Sequence, residues 1–184
     1  MKKKYYIVLG LALFAVLIPN KNISAGIEEN LVGLYHLDNE GEKIVVDSSG
    51  KENHGEITGN AIWSPGKIGK AIMFNGKNTA IKIPYTESLK FTEALTVEAW
   101  INIDTHMAAI AEKQGSWVFR TFGNKETPAP NRLTASICPA GTWITIAGGK
   151  AVLKPGVWYH VAMTYAADTG VFAIYLDGNL HATR

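Results

Sequence analysis

The segment LTVEAWINI, residues 95–103, alternates apolar and polar side chains almost throughout. The apolar positions are Leu95, Val97, Ala99, Ile101 and Ile103. A period of two puts successive side chains on opposite faces of an extended chain, so the pattern predicts a β-strand with one buried face. Residues 158–165 and 171–176 alternate in the same way, and the second of these segments ends in a turn at residues 177–179.

Six further strands are predicted between clusters of Gly, Asn, Asp and Pro, at residues 31–37, 71–74, 80–83, 117–122, 133–137 and 143–147. The chain has 184 residues, 47% of them apolar and 18% charged, which is a globular composition. No helical periodicity appears outside the N-terminus. The sequence therefore predicts an all-β fold, a two-sheet antiparallel β-sandwich that forms one domain over residues 26–184.

Residues 1–25 have the pattern of a secretory signal peptide. Three lysines at positions 2–4 precede an uncharged apolar run at residues 5–18, and Ala25 offers a small residue at the cleavage point. This pattern predicts a signal-peptide helix before the sandwich, and a mature protein that is secreted or held at the cell surface. The apolar run is shorter than the roughly 20 residues of a spanning helix, so cleavage is favoured over a membrane anchor, and no span is expected afterwards.

Charge and cysteine content exclude other classes. The formal net charge is +2, but residues 1–25 contain four lysines and no acid, so the mature chain has a net charge of −2. Without a basic cluster we expect no nucleic-acid partner. Cys138 is the single cysteine of the chain, so no internal disulfide can form and the core or a metal must supply stability.

Several motifs, taken in order, resemble the laminin G-like, concanavalin A-like lectin–glucanase jelly-roll family. They lie at residues 34–38, 47–55, 66–76, 95–101, 158–162 and 175–178. The resemblance implies a jelly-roll sandwich. It also implies further strands after the hairpin at 175–178, the last of which carries an acidic pair and lies beside the opening strand. Because the chain ends at Arg184, we expect a domain that lacks its last strands or has an unpaired sheet edge.

The sequence does not predict an enzyme. A retaining glycosidase needs two carboxylates about 5–5.5 Å apart. Glucanases of the resembling fold supply them as E-x-D-x-x-E along one strand, whereas Glu98 here is followed by Trp100 and Asn102. Glu98 is therefore interpreted as a hydrogen-bonding residue on the sheet face.

A structural calcium ion is the candidate cofactor. The loop at residues 47–55 offers Asp47, Asn53 and the carbonyl oxygens near Gly55, and calcium prefers such oxygen ligands. In the resembling family this region joins the C-terminal acidic pair at calcium, but that pair is missing here. The alternative is a turn in which Asp47 caps its own loop.

Carbohydrate recognition is a candidate role of three tryptophans and of Glu98. The candidate ligand-binding residues are Trp63, Trp117, Trp143 and Glu98. The alternative for each tryptophan is packing inside the sandwich, because tryptophan is mostly buried.

We therefore predict a secreted, non-catalytic binding or adhesion module that recognises a polysaccharide or glycoprotein. The alternatives are a structural accessory domain of a larger extracellular enzyme or surface protein and, less favoured, a glycoside hydrolase.

Overall fold

The computed structural model describes residues 30–104, 108–122, 131–148 and 151–184, and the backbone of residues 7–15. Regular structure in these ranges consists of strands and two short 3₁₀ turns, Glu87–Leu89 and Pro139–Gly141. The strands are β1 (Ile7–Ala15), β2 (Leu31–Tyr35), β3 (Ile44–Val45), β4 (Gly55–Thr58), β5 (Ile62–Pro65), β6 (Lys70–Phe74), β7 (Ala80–Lys82), β8 (Ala94–Ile103), β9 (Ala108–Lys113), β10 (Trp117–Phe122), β11 (Arg132–Ile137), β12 (Ile144–Ala147), β13 (Trp158–Ala166), β14 (Phe172–Leu176) and β15 (Asn179–Thr183). The predicted all-β fold is confirmed.

The strands form three antiparallel sheets. The largest has the order β15-β14-β13-β8-β1-β6-β5, and β2 pairs with β1 off this path. A four-stranded sheet has the order β12-β11-β10-β9, and a three-stranded sheet has the order β3-β4-β7. Buried side chains of all three sheets join in one hydrophobic core, and β11 and β12 pack over β14. The architecture is the predicted two-layer sandwich.

The alternation in β8 builds the centre of the core. Its five apolar positions are all buried, and in the register with β13 they lie beside Tyr159, Val161, Met163 and Tyr165. The opposite layer contributes Phe119 and Leu133, which are fully buried. Each such side chain stabilises the fold by about 1.5–3 kcal/mol relative to its exposed state. The period of two in the sequence therefore identifies the buried face of this strand.

Strand β1 occupies the middle of the largest sheet. It pairs with β8 on one side and with β6 and β2 on the other, always antiparallel. Residues Ile7–Ala15, which belong to the predicted signal peptide, form this strand, and the signal-peptide helix itself stays a prediction. Strands on both sides offer backbone hydrogen-bonding groups to this segment, and its isoleucine, valine and phenylalanine are residue types that favour strands. The opening strand β2, expected to lack its partner, pairs with β1.

The rest of the predicted leader, residues 1–6 and 16–25, lies outside the described residues, and its role in export stays a prediction. Within the ranges that the structure describes, no helix is long and apolar enough to cross a membrane.

Removal of residues 1–25 should destabilise the protein. The shortened chain lacks β1, so β8 and β6 lose the backbone partners that lie between them. We expect a lower thermal midpoint than in the full chain, and self-association that increases with protein concentration. Thermal unfolding at several concentrations measures both. A chain without residues 1–6 keeps β1 and is the control; equal midpoints for all three chains would contradict a stabilising role for β1.

Candidate functional site

The Asp47 carboxylate is buried and accepts hydrogen bonds on both oxygens. Oδ1 accepts from the backbone N–H groups of Leu34 and Ser49, each at 2.8 Å. Oδ2 accepts from the Ser49 hydroxyl at 2.8 Å and from the Asn53 backbone N–H at 3.0 Å. Burial alone raises the pKa of Asp47, but these hydrogen bonds outweigh it and hold the pKa below its usual value.

Asn53 continues this network and is itself 1% exposed. Its Nδ2 donates to the Val32 carbonyl at 2.7 Å and to the Ser88 hydroxyl at 2.8 Å. Its Oδ1 accepts from the Thr86 hydroxyl, and its backbone carbonyl accepts from the Tyr35 hydroxyl. One loop thereby connects strand β2 with the 3₁₀ turn that precedes β8.

This geometry fits a capped turn rather than a calcium site. A carboxylate has about four lone-pair positions, and protein donors use four at Asp47. An ion at Asp47 would have to displace one of these donors. Gly55 lies in β4, where an added Cβ would come within 2.5 Å of the Ile81 side chain, so close packing of β7 explains this glycine. In the described ranges, no group of three His, Cys, Asp or Glu residues is arranged to hold a metal. Calcium binding stays an untested prediction.

The three candidate tryptophans have different surroundings. Trp117 is 5% exposed and belongs to the hydrophobic core, so its ring is not available to a glycan. Trp63 is half-buried against the core and lines a small cleft beside residues 36–39 and 44–46. Trp143 is 51% exposed, immediately before β12. The structure therefore presents Trp143 most fully to a ligand.

Glu98 lies on the face of β8 that is turned away from the core. Its Oε2 is 3.5 Å from His160 Nε2, and the His160 ring contacts Trp100 with a centroid distance of 5.4 Å. The hydrogen bond with Glu98 raises the pKa of His160 above its usual value, against the opposing effect of partial burial. Glu98 and Trp143 belong to different sheets, so the structure does not unite them in one site.

A second polar surface covers the outer side of the four-stranded sheet. Alternation along β10 and β11 turns Trp117, Phe119, Leu133 and Ala135 into the core. The side chains between them lie on the opposite side of the sheet, where Thr134 and Ser136 are themselves buried, with 6% and 5% exposure. We call this surface the polar face, and it comprises Val118, Arg120, Phe122, Arg132, Thr134, Ser136, Trp143 and Thr145.

The polar face has hydroxyl groups at its centre and aromatic rings toward its ends. Ser136 Oγ and Thr145 Oγ1 are 2.9 Å apart across β11 and β12. Phe122 is exposed and pairs in register with Arg132, while Trp143 precedes Ile144, the partner of Ile137. The sequence indicated Trp143 as a ligand contact but did not indicate the arginines and hydroxyls. The alternation in residues 117–122 and 132–137 could have indicated them, because it separates the side chains of the outer side from those of the core.

An antiparallel two-sheet sandwich has the architecture of a lectin-like domain. A family model described as the concanavalin A-like lectin/glucanases superfamily matches residues 75–184. The match covers more than half of the chain and includes strands β7 to β15, so the chain belongs to this superfamily. No curated protein and no solved structure matches it significantly.

The resemblance seen in the sequence is thus confirmed. Membership supports a carbohydrate-binding type of module in general, and laminin G-like domains are often extracellular. The superfamily also includes glycosidases, so the fold alone does not decide between binding and catalysis.

Asp47→Ala should strongly destabilise the domain. Three backbone N–H groups lose their acceptor, and each unpaired buried donor costs about 1–3 kcal/mol, so we expect the free energy of unfolding to fall by roughly 3 kcal/mol or more. Urea unfolding near neutral pH measures this change. Asp38→Ala is the control, because Asp38 also accepts a backbone N–H, from Lys70 at 2.8 Å, but at an exposed position.

We expect the control variant to lose less than about 1 kcal/mol. Equal losses in the two variants would contradict the special role of the buried network. The same measurement with calcium and with a chelator tests the calcium hypothesis, since an ion bound to the native state would raise the wild-type transition.

The Glu98–His160 pair should make stability depend on pH. A histidine pKa that is raised in the folded state contributes stability below the unfolded value of about 6.5, and this contribution is lost as pH rises through the folded pKa. The destabilising effect of Glu98→Gln should therefore be larger near pH 5.5 than near pH 8.5. Urea unfolding at both pH values checks this, with Glu112→Gln, an exposed strand residue, as the control. An effect of Glu98→Gln that is the same at both pH values would refute the linkage.

Proposed function

We propose that this protein is an exported, non-catalytic carbohydrate-binding module whose ligand lies on the polar face. The exposed Trp143 ring, on a sheet face lined with hydroxyl and guanidinium groups, is the observation that carries the proposal. Apolar rings that cover a sugar face, together with a few polar groups that fix its orientation, are the usual composition of small-ligand sites. The partner is a polysaccharide or the glycan of a glycoprotein.

The dimensions of the polar face favour a chain of several sugars. Phe122 stands opposite Arg132 at one end, and Trp143 lies beyond Ile137 at the other. Ile137 is five positions after Arg132 along β11, which corresponds to about 17 Å of extended strand. An elongated ligand can therefore contact an aromatic ring near each end while its hydroxyl groups face Thr145, which is exposed beside the buried Ser136.

The arrangement of acids supports binding without hydrolysis. Next to the polar face, Glu112 on β9 pairs in register with Val118, and the described strands of this sheet place no second carboxylate on that side. On the outer side of the largest sheet, Glu98 has His160 as its neighbour rather than an acid. A retaining glycosidase requires two carboxylates about 5–5.5 Å apart. Neither surface supplies such a pair within the described strands.

Export is the second part of the proposal, and it rests on the leader pattern in the sequence. Four lysines before and after an uncharged apolar run, followed by Ala25, are typical of a signal peptide. Extracellular or cell-surface placement agrees with the frequent location of laminin G-like domains.

Trp143→Ala should weaken glycan binding without unfolding the protein. The ring is half exposed, so its loss removes ligand contact rather than core packing. Large aromatic side chains of a binding surface commonly contribute about 1.4 kcal/mol or more, so we expect at least about a tenfold rise in Kd. Native gel electrophoresis in the presence of soluble polysaccharides measures the change.

Tyr85→Ala is the matched control, because Tyr85 is an exposed aromatic residue outside the polar face. It should retain wild-type affinity. Equal affinity of wild type and Trp143→Ala for every bound glycan would contradict the assignment of the polar face. Failure of the wild type to bind any polysaccharide would favour a structural accessory role instead.

A further inference from the structure

Two arginines lie side by side on the polar face. Arg120 on β10 pairs with Thr134, and Arg132 is two residues before Thr134 on β11, so the arginines are diagonal neighbours. Diagonal positions of an antiparallel pair are about 7–8 Å apart, within the combined reach of two long side chains. Both side chains are half-buried, which limits their motion and holds the guanidinium groups near the sheet.

Neither arginine forms an ion pair in the part of the chain that the structure describes, although Glu112, opposite Val118 on β9, lies on the same side of the sheet. The ion pairs there involve Lys70, Lys90 and His160. The Nε atoms of Arg120 and Arg132 are buried and make no hydrogen bond. The Arg120 guanidinium instead lies over the Phe122 ring, 5.9 Å from its centroid. Two neighbouring positive charges repel each other in the unbound protein, and their unused donors lack acceptors. A bound anion removes both of these costs.

The surroundings of the two arginines identify the kind of anion. A guanidinium group presents planar donors that match the oxygens of a carboxylate and bind them in pairs. Thr134 lies directly opposite Arg120 and is buried, as is Ser136, whereas the Thr145 hydroxyl that pairs with Ser136 is exposed on the same face. The exposed Thr145 hydroxyl suits the neutral, hydroxyl-bearing part of a sugar. The polar face thus offers the arginines to a charged substituent of a sugar and a hydroxyl group to the sugar ring.

We infer that the polar face recognises an acidic polysaccharide, with Arg120 and Arg132 together holding one carboxylate or sulfate group of a sugar unit. This inference rests on the proposed carbohydrate-binding function and specifies its ligand class. The mature chain has a net charge of −2 if residues 1–25 are removed. Attraction to an acidic polymer therefore depends on this local pair and not on overall charge.

The test uses two pairs of polymers that share a backbone and differ in charge. Polygalacturonate is compared with its methyl ester, and dextran sulfate with dextran, by native gel electrophoresis of the full chain at constant ionic strength. We expect the charged member of at least one pair to bind about tenfold or more tightly, since hydrogen bonds to charged groups are roughly twice as strong as neutral ones. The pair that shows this preference identifies the anion as a carboxylate or a sulfate.

Four variants test which residues cause the preference for the charged polymer. Arg120→Gln and Arg132→Gln should each weaken binding of the charged polymer about tenfold and weaken binding of the neutral polymer much less, so that the preference for the charged polymer falls. Arg120→Lys keeps the charge but not the paired donors and should show a smaller loss. Lys77→Gln removes an exposed positive charge from a loop and should have no effect. Thermal unfolding of each variant verifies that it folds.

Distinct outcomes overturn the inference and the proposed function. If charged and neutral polymers bind equally and Trp143→Ala weakens both, the proposed function is kept and the acidic-ligand inference is overturned. Equal losses of affinity in Lys77→Gln, Arg120→Gln and Arg132→Gln would also overturn the acidic-ligand inference, because attraction would then reflect total charge. No binding of any polymer would overturn both.

Discussion

The buried Asp47 carboxylate is the interaction that joins the largest sheet to the three-stranded sheet. Its oxygens accept from Leu34 in strand β2 of the largest sheet and from Asn53, just before strand β4 of the three-stranded sheet. Asn53 in turn contacts Ser88 in the segment before β8. One charged group thus fixes three segments that are distant in sequence, in a chain whose single cysteine cannot form an internal disulfide. Because protein donors surround it, the charge tolerates burial.

In the folded sandwich, the alternation of side chains along each strand determines which residues lie on the outer surfaces of the sheets. In β10 the core takes Trp117 and Phe119, so Arg120 has to point outward together with its neighbours on β11. The same rule places Glu98 outward on β8. The packing that stabilises the sandwich therefore also arranges the proposed binding residues, and a shift of one residue in register would bury the charges.

The sequence predicted features that depend on local pattern. The buried face of β8 followed from its period of two, and the closeness of Asp47 and Asn53 followed from their short separation. It did not predict that Leu34, 13 residues away, would satisfy the carboxylate, because that contact needs the tertiary fold. Trp117 was proposed as a ligand contact although alternation with Phe119 places it in the core. The approach of Arg120 to Arg132 depends on the register across a long connection, which no local pattern specifies.

The place of β1 in the sheet has a consequence for the order of events in the cell. Its residues are the apolar part of the predicted leader, and they are also hydrogen-bonded between β8 and β6. An export machinery recognises such a segment as an accessible apolar stretch, whereas a sheet interior hides it. Under the proposed export, a chain that completes this sheet before translocation holds the apolar segment in backbone hydrogen bonds, so folding and export require the same nine residues.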